Sequence, residues 1–242
     1  MDSRVESRQP EAAVFAAAAH ELKSPLALVQ HIAQTLADTQ TPLSEIERAQ
    51  YLARLQFTSD RMLRLVQQLA ISYRLQADEQ LAFAFATEPL NAVEVCEGVA
   101  HELEPFARAY NQHIEIASQR GQLVVANREI LHDIIANLID NAIRHNPTGG
   151  SVRLTSGTHG NVVRLGVHDQ GAGVGQAELR SLRHTLGAQP QPLGGRSATS
   201  GLGLYIVGQF AAAMGGNLGL GRPEQGSHFF VDLLRSKQMS LL

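Results

Sequence analysis

Two long stretches near the amino terminus repeat apolar residues every seven positions, a spacing that keeps side chains on one face of a helix. In the first stretch, about residues 10–38, the repeat comprises Phe15, Leu22, Val29 and Leu36. In the second, which extends to about residue 76, it comprises Leu55, Met62 and Leu69. Pro42 interrupts the chain between them, and Ser44 with Glu47 forms a capping box for the second helix. The pattern predicts a helical hairpin.

A single hairpin of this kind has two apolar faces and little to bury them against. Two hairpins together form a four-helix bundle, so the pattern predicts a homodimer through residues 10–77. The alternative is that the hairpin packs on the downstream part of the same chain. Pro25 lies in the middle of the first predicted helix, where a proline removes a hydrogen bond and bends or loosens the preceding turn.

From about residue 80 the pattern changes to short apolar strands alternating with helices. Strands are predicted over residues 81–86, 113–117, 123–126, 151–156, 161–168 and 227–234. Helices are predicted over residues 91–109 and 128–145, capped by Asn91 and Asn127, and from about residue 203 onwards. Helices on one face of a mixed sheet form an α+β arrangement. We therefore predict a helical domain over residues 1–79 and an α+β domain over residues 80–242.

Composition and charge exclude some functions and favour a compartment. The chain has 20 Lys and Arg against 23 Asp and Glu, and its formal net charge of -3 argues against nucleic-acid binding through bulk positive charge. Cys96 is the only cysteine, so a reducing cytoplasm is the simplest compartment. The longest apolar run, residues 12–19, is far shorter than the roughly 20 residues of a membrane helix. No membrane segment is expected, although a cytoplasmic portion of an inner-membrane receptor would look the same.

An acidic residue followed by two glycines ends one predicted strand. A carboxylate such as Asp169 can accept a hydrogen bond from an exocyclic amine, and Gly171 and Gly173 allow the backbone to approach a ring closely. A site of this kind rejects bases that lack the donor, because the acid would be left unsatisfied. A plain turn after a strand explains the same residues equally simply.

Two carboxamides, Asn137 and Asn141, are four residues apart on an otherwise apolar helix and therefore lie on one face. Their oxygens are suitable ligands for Mg²⁺, which shares oxygen donors with phosphates. Arg144, close to Asn141, can hold a phosphate through two hydrogen bonds. The alternative is a pair of core amides that hydrogen-bond to the backbone.

A glycine-rich loop, Gly201-Leu202-Gly203-Leu204, precedes the last predicted helix. Glycines at a helix start leave backbone N–H groups free to hold phosphate, although a flexible loop ahead of a helix has the same composition. Residues 174–200 are polar and include Arg196 beside two glycines. This segment is suited to a mobile lid over a ligand or to an idle surface loop.

In order and spacing these segments resemble the sensor histidine kinases of two-component signalling. HELKSPL resembles the phospho-acceptor box, NLIDNAIRHNPTGG resembles the asparagine box, and DQGAGV and SGLGLYIV resemble the two glycine boxes. MGGNLGL and GSHFFVDL are similar to the family's usual ending, so the resemblance covers about residues 11–235. It implies a dimeric four-helix bundle followed by an α/β sandwich of the Bergerat (GHKL) type, which DNA gyrase B and Hsp90 share.

The resemblance also implies a role for each matching residue. His20 would attack the γ-phosphate of ATP, Glu21 would accept a proton from its ring, and Ser24 would orient water for a reverse phosphatase reaction. The cofactors implied are ATP and Mg²⁺, and the partner is the receiver domain of a response regulator. The remaining site residues implied are Asn137 and Asn141 for Mg²⁺, Arg144, His145 and Arg196 for nucleotide, Asp169, Gly171 and Gly173 for adenine, and Gly201, Leu202, Gly203 and Leu204 for phosphate.

The sequence departs from the family pattern at several positions. The phenylalanine-rich box between the glycine boxes is absent, and Leu179, Leu182 and Leu186 occupy that region. Thr199 replaces the first glycine of the second glycine box, and His145 stands where an aromatic residue is usual. The missing box favours an alternative function, a signalling scaffold that binds ATP without transferring phosphate. A conformational machine of the gyrase or Hsp90 kind is disfavoured, because those proteins do not require HELKSP on a dimerising helix.

Overall fold

A computed structural model describes residues 8–38, 40, 43–77, 86–118, 121–192, 200–221 and 225–237. Its helices are α1 (Arg8–Ala37), α2 (Glu45–Ala77), α3 (Ala92–Ala109), α4 (Arg128–His145), α5 (Gln176–Thr185) and α6 (Leu202–Ala213). Its strands are β1 (Glu88–Asn91), β2 (His113–Ser118), β3 (Leu123–Ala126), β4 (Ser151–His159), β5 (Val162–His168), β6 (Asn217–Leu220) and β7 (His228–Leu234).

Helices α1 and α2 form the predicted hairpin, and the sequence determines where the second helix begins. The backbone N–H of Ser44 donates to Glu47 Oε2 at 2.9 Å, and the N–H of Glu47 donates to Ser44 Oγ at 3.3 Å. This reciprocal pair is the predicted capping box. Helix α1 continues through Pro25 without a break. The helical hairpin is therefore confirmed.

The downstream part is the expected α+β layer. Five strands form a mixed sheet in the order β2-β4-β5-β7-β6, in which β2 and β4 are parallel and the other pairs are antiparallel. Strands β1 and β3 form a separate antiparallel pair. Helix α4 packs on β4 and β5, and α6 packs on β6 and β7. The caps of α3 and α4 are also as predicted, since Asn91 accepts from the N–H of Val93 and Asn127 from that of Ile130.

The core of the sheet domain is built from α4, α6 and the inner sides of β4 and β5. Apolar side chains repeat along α4 in pairs four residues apart, as the helical period requires. The largest fully buried side chains of this core are Leu131, Ile134, Ile135, Leu138, Ile139, Ile143, Leu154, Leu165, Leu202, Tyr205 and Phe210. Because this face of α4 is used by the core, the opposite face is left for other partners.

The hairpin has one side on the sheet domain and another side open. Ala17, Ala18 and Leu75 belong to the same buried cluster as the core of the sheet domain, and α2 also contacts α6. The alternative in which the hairpin packs on its own chain is thus correct for this side. The other side remains apolar and uncovered, with exposed fractions of 70% for Phe15, 56% for Leu26, 58% for Leu63, 49% for Val66 and 56% for Tyr73.

The structure differs from the predicted elements at four places. Strand β4 extends to His159, beyond the predicted end at 156, because its residues pair with β5 up to the turn at Gly160. Helix α5 lies inside the segment predicted as a loop, and the short strands β1 and β6 were not predicted. The strand predicted over residues 81–86 lies outside the described residues except for Ala86.

One described helix is long and apolar enough to cross a membrane by length and composition alone, Ala12–Ala37 within α1. This contrasts with the expectation drawn from the shorter apolar run. The same helix contains His20, Glu21 and Lys23, and it packs against α2. These contacts and charges fit a helix of a bundle, and the composition alone is weak support for a membrane span.

Two histidines stack on the outer side of the sheet, where His168 of β5 pairs with His228 of β7. Their ring centroids are 3.7 Å apart and the rings are inclined by 10°. Burial, with the nearby charges of His168 and Arg164, lowers the pKa of His228 to about 4. Burial and Arg153 lower the pKa of His168 as well. The folded protein therefore favours two neutral rings.

We expect the free energy of unfolding to fall as the pH drops from about 6.5 towards about 4. In this range the unfolded state, with an ordinary His pKa of about 6.5, binds more protons than the folded state, so acid favours unfolding. Allowing for partial exposure, His228 accounts for about 1–2 kcal/mol of this loss. Urea unfolding of His228→Gln at pH 7 and pH 4.5 should show a smaller difference than the parent. His101→Gln, at an exposed site on α3, is the control; equal pH dependence in all three would contradict the expectation.

A second prediction concerns the contact between α6 and the segment after α5. A Cβ on Gly208 would lie 2.5 Å from Gly187 Cα and 2.7 Å from Gly187 O, so the backbones touch there. Gly208→Ala should reduce the free energy of unfolding by about 1–3 kcal/mol through overpacking. Gly98→Ala, on an exposed turn of α3 with nothing within 4 Å of the added carbon, should increase it by about 0.5–1 kcal/mol. Thermal unfolding of both variants checks the opposite signs.

Candidate functional site

A cleft of about 140 Å³ lies where the hairpin meets the sheet domain. Five elements line it, namely α1, α2, α3, α4 and the first turn of α6. Of the residues predicted for the site, those that line it are Glu21, Asn137, Asn141, Arg144, Gly201, Leu202, Gly203 and Leu204. The phospho-acceptor box, the asparagine box and the second glycine box are therefore adjacent in space, although they are separated in the sequence.

The carboxamide of Asn137 is held by its nitrogen. Nδ2 donates to the carbonyl of Asp133 at 2.9 Å and to Gln68 Oε1, on α2, at 3.2 Å. Both amide hydrogens are used, so the oxygen is left as the free end of the side chain. That oxygen lies 3.7 Å from the position a Cβ on Gly203 would take, which places it beside the glycine loop. Helix α4 thus presents an amide oxygen, which can bind a cation or accept a hydrogen bond, to the loop that was predicted to hold phosphate.

Arg144 faces the cleft but is engaged with protein groups. Its Nε donates to Asp140 Oδ2 at 3.0 Å, and Arg61 of α2 donates to the same oxygen at 2.8 Å. Burial lowers the pKa of Arg144, but the charge and hydrogen bond of Asp140, together with the nearby Tyr110 and Glu21, outweigh it, so the net direction is upward. Asn141, between these groups on α4, is half-buried in the cleft wall. A phosphate held by Arg144 would have to share the guanidinium with Asp140.

The glycine loop can follow its path only because Gly201 has no side chain. Its φ is 71°, in the left-handed region, and a Cβ there would lie 2.0 Å from Gln191 O. Helix α6 begins at the next residue, and Ser200 Oγ accepts from the N–H of Leu202 at 3.2 Å. The other N–H groups of the first turn have no acceptor within the helix. The first turn of α6 is therefore suited to binding an anion.

Asp169 is fixed at the end of β5 and is only 5% exposed. Its Oδ1 accepts from the N–H of Gly171 at 2.8 Å and from that of Ser227 at 3.1 Å. Gly171 is packed so closely on the end of α4 that a Cβ would lie 2.3 Å from His145 O. Gly173, with φ of 70°, is similarly close to Gly226 O, at 2.7 Å from the position of a Cβ. The acid and both glycines therefore form a tight, preorganised turn.

The turn at Asp169 and the cleft are two separate parts of the predicted site. Asp169, Gly171, Gly173 and His145 do not line the cleft, whereas the asparagines and the glycine loop do. Helix α4 connects the two parts, since its residues Asn137 and Asn141 face the cleft and its last carbonyl meets Gly171. Arg196 lies outside the described residues.

The phospho-acceptor box is placed on the exposed side of α1. His20 and Ser24 are exposed, whereas Glu21 is half-buried in the cleft wall. Glu21 Oε1 accepts from Ser200 Oγ at 2.8 Å and from the N–H of Ser200 at 3.4 Å. The carboxylate is thus directed to the glycine loop in this arrangement.

Sequence reasoning did not identify the residues that join the hairpin to the sheet domain. Gln68 and Asn137 are 69 residues apart, and Glu21 and Ser200 are 179 apart. Two ion pairs cross the same boundary, Arg61 with Asp140 at 2.8 Å and Arg64 with Glu102 at 2.7 Å. The position of Ser200 beside the glycine box could have identified it as a site residue. Polar residues on a long helix give no such indication, because a helix of this kind normally has a solvated face.

Comparison with known proteins gives the family of each part. Residues 11–77 match the family described as His Kinase A (phospho-acceptor) domain. Residues 126–237 match the family described as histidine kinase-, DNA gyrase B- and HSP90-like ATPase. Together these two matches span most of the chain, with the phospho-acceptor domain preceding the ATPase domain.

Curated relatives are sensor proteins. The sensor protein kinase PmrB of Pseudomonas aeruginosa is 28% identical over 221 residues, which are 91% of this chain and 44% of the relative. The sensor protein VanSB of Enterococcus faecalis is 27% identical over 90% of this chain and 48% of the relative. The sensor protein QseC of Salmonella typhi is 30% identical over 86% of this chain and 44% of the relative. The chain therefore spans about half the length of the curated relatives it matches.

Solved structures agree with the fold. Full-length ShkA in complex with AMPPNP has a TM-score of 0.62 at 27% identity, covering 96% of this chain and 47% of that chain. The Acinetobacter baumannii histidine kinase AdeS has a TM-score of 0.61 at 19% identity, covering 90% of this chain and 98% of that chain, and this likeness concerns the fold alone. With both matched domains in the family order, the chain belongs to the sensor histidine kinases of two-component systems.

Proposed function

We propose that this chain transfers the γ-phosphoryl group of ATP to His20 and passes it on to an aspartate of a response-regulator receiver domain. The observation that carries the proposal is the single cleft shared by Glu21, Asn141 and Gly203, which belong to three distant motifs. Glu21, the residue next to the proposed nucleophile, is hydrogen-bonded to Ser200, which directly precedes the proposed phosphate-binding loop.

The chemistry requires little activation of the nucleophile. A neutral imidazole has a lone pair on one ring nitrogen and can attack phosphorus without a separate deprotonation. The ring nitrogen distal to the backbone would form the bond to phosphorus while the bond to the bridging oxygen of ATP breaks and ADP leaves. Glu21 would take the proton of the other ring nitrogen. The protein mainly positions the groups and balances charge, and the exposed position of His20 supports access by a nucleotide.

The cleft residues fit a magnesium nucleotide. Asn137 presents an oxygen to the glycine loop, and Asn141 lines the same wall, so both supply the oxygen donors that Mg²⁺ prefers. The metal would neutralise charge on the phosphates. Arg144 lies on the same side of α4 and adds a positive charge there. The first turn of α6 would contribute backbone N–H groups to the phosphates.

Asp169 is proposed to select adenine. One of its oxygens is already used by two backbone N–H groups, which fixes the carboxylate in one orientation. The other oxygen is then an acceptor for the exocyclic amine of the base. Gly171 and Gly173, where a Cβ would meet the backbone, keep this turn in place, while His145 and Arg196 remain candidates for contacts with the nucleotide.

The hairpin is proposed to form a homodimer through residues 10–77, with residues 1–79 and 80–242 as the two domains. The exposed apolar side chains of the hairpin support this, since a few scattered ones are normal but a stripe along two helices marks an interface.

The receiver domain would dock on the same bundle, near His20. A cytoplasmic location is proposed because ATP is consumed there. Ser24 is exposed, and its role in a phosphatase reaction remains a prediction.

Labelling with γ-labelled ATP tests the proposed function. The parent should take up an acid-labile, alkali-stable label in the presence of Mg²⁺, lose it on chelation of the metal, and pass it to a receiver domain. His20→Gln should lower the label by more than about 100-fold, because the nucleophile is removed. His31→Gln, at another exposed histidine of α1, should label as the parent does. ATP binding without any label in the parent would instead favour the signalling scaffold.

Asp169→Asn should weaken ATP binding by about 10- to 100-fold, the expected effect of losing a hydrogen bond to a charged acceptor. An asparagine has one oxygen, which Gly171 and Ser227 would occupy, so the side chain would turn an N–H₂ donor towards the amine of adenine. Titration with ATP and ITP checks this, since inosine lacks the amine. The parent should prefer ATP, and the variant should lose that preference. An unchanged preference would remove Asp169 from the site.

The dimer is tested by sedimentation equilibrium. The parent should sediment as a dimer, and a double change on the exposed stripe, Leu63→Glu with Val66→Glu, should give a folded monomer because two charges would be buried in the bundle. Glu substitutions at the exposed positions Gln50 and Ala53, which share no heptad position with Leu63 or Val66, provide the control on the same helix. A parent that sediments as a monomer at high concentration would contradict the interface.

A further inference from the structure

The carboxylate of Glu21 rests on the glycine loop rather than in solvent. Ser200 donates to Glu21 Oε1 from its hydroxyl at 2.8 Å and from its backbone N–H at 3.4 Å. Ser200 is only 8% exposed, and its hydroxyl oxygen accepts from the N–H of Leu202 at 3.2 Å. One hydroxyl therefore connects an acid of α1 to the first turn of α6.

This contact occupies two donors that directly precede the first turn of α6, the hydroxyl and the backbone N–H of Ser200. The first N–H groups of a helix favour negative charge, and a hydroxyl beside them adds a donor. A carboxylate oxygen on the same donors has the charge and the hydrogen-bonding capacity of a phosphate oxygen. Glu21 and a nucleotide phosphate would therefore compete for Ser200.

The contact is part of a wider attachment of the hairpin. Gln68 accepts from Asn137 at 3.2 Å, Arg61 pairs with Asp140 at 2.8 Å, and Arg64 pairs with Glu102 at 2.7 Å. The first two of these involve α4, next to the asparagines of the proposed magnesium site. The hairpin therefore contacts the sheet domain at several points around the nucleotide cleft. Among these contacts, the one made by Glu21 places an anion beside the glycine loop.

We propose that Ser200 and His20 are alternative partners of Glu21, and that the Glu21 carboxylate stands in for a nucleotide phosphate when the cleft holds none. When phosphate takes the Ser200 donors, the carboxylate is displaced and becomes available to the imidazole of the neighbouring residue. Nucleotide binding and activation of the phospho-acceptor are then coupled through one side chain. Ser200 is a positioning residue in this scheme. The inference rests on the proposed function and adds to it a step in which nucleotide binding makes Glu21 available to His20.

Linkage gives the direction of the effect on affinity. A group that occupies the site in the free protein lowers the apparent affinity of the ligand that displaces it, and removing the group restores the affinity. Neutralising Glu21 should therefore tighten the binding of a nucleotide with a full phosphate chain. A role of Glu21 confined to proton transfer would leave binding unchanged.

The experiment is a titration of the full chain with AMPPNP and Mg²⁺, and separately with AMP. Glu21→Gln should bind AMPPNP about 3- to 10-fold more tightly than the parent, which corresponds to a charged hydrogen bond weakened by partial exposure. AMP lacks the terminal phosphates and should bind both proteins equally. Asp60→Asn, which neutralises an exposed carboxylate of α2 that does not line the cleft, should match the parent with both ligands.

Hydrogen exchange supplies a readout that does not depend on activity or affinity. Without nucleotide, the amides of residues 200–206 should exchange faster in Glu21→Gln than in the parent, and saturating AMPPNP should remove the difference. Ser200→Thr, which keeps the hydroxyl, should exchange as the parent does, whereas Ser200→Ala should resemble Glu21→Gln.

Unchanged or weaker binding of AMPPNP by Glu21→Gln would overturn the inference, as would an equal gain for AMP. These results leave the proposed function intact if the parent still labels His20. A parent that binds AMPPNP but never labels His20 would contradict the proposed function, whereas a tighter Glu21→Gln complex would still support competition at Ser200.

Discussion

The packing of α4 against the sheet is the constraint on which the rest of this structure depends. One face of the helix buries Leu131, Ile134, Ile135, Leu138, Ile139 and Ile143. At about 1.5–3 kcal/mol for each buried side chain, this face contributes on the order of 10 kcal/mol of favourable transfer free energy before entropy is counted. That amount leaves the helix no freedom to rotate about its axis. Asn137 and Asn141 are therefore obliged to face away from the sheet, and the chemistry of the site follows from the burial of the opposite face.

The features predicted from the sequence are those that depend on local pattern. The hairpin has a heptad repeat, the caps at Asn91 and Asn127 have the right residue types, and both were confirmed. Helix α5 has the leucines of an apolar face but a mainly polar composition between glycines and prolines, so it resembles a loop. Strand β6 has four residues, one of them Gly219, where a Cβ would lie 2.3 Å from the Phe230 ring. A strand held by such tertiary packing gives no periodic signal, because its pairing with β7 supplies the stability.

The candidate site also has parts that the sequence predicts and contacts that it does not. The motifs identified its parts because glycines at a helix start and amides four apart have a direct physical meaning. The contacts between the parts have no local signature. Gln68 is 6% exposed on a long polar helix, yet it is one of the residues that orient Asn137. Only the arrangement of the hairpin on the sheet domain makes this glutamine part of the site, and no spacing within α2 distinguishes it from solvated neighbours.

The hairpin can contact the sheet domain on one side and a second hairpin on the other at the same time. The side that meets the sheet domain combines apolar contacts, such as those of Ala17, Ala18 and Leu75, with polar contacts such as that of Gln68 with Asn137. The opposite side exposes apolar side chains, among them Leu63 and Tyr73. Polar contacts between domains can be exchanged for water at little net cost, whereas an apolar stripe is stabilised only while it stays covered. The physical chemistry of the two sides therefore favours lasting association on one and reversible docking on the other, which is the combination that the proposed transfer of phosphate to His20 would require.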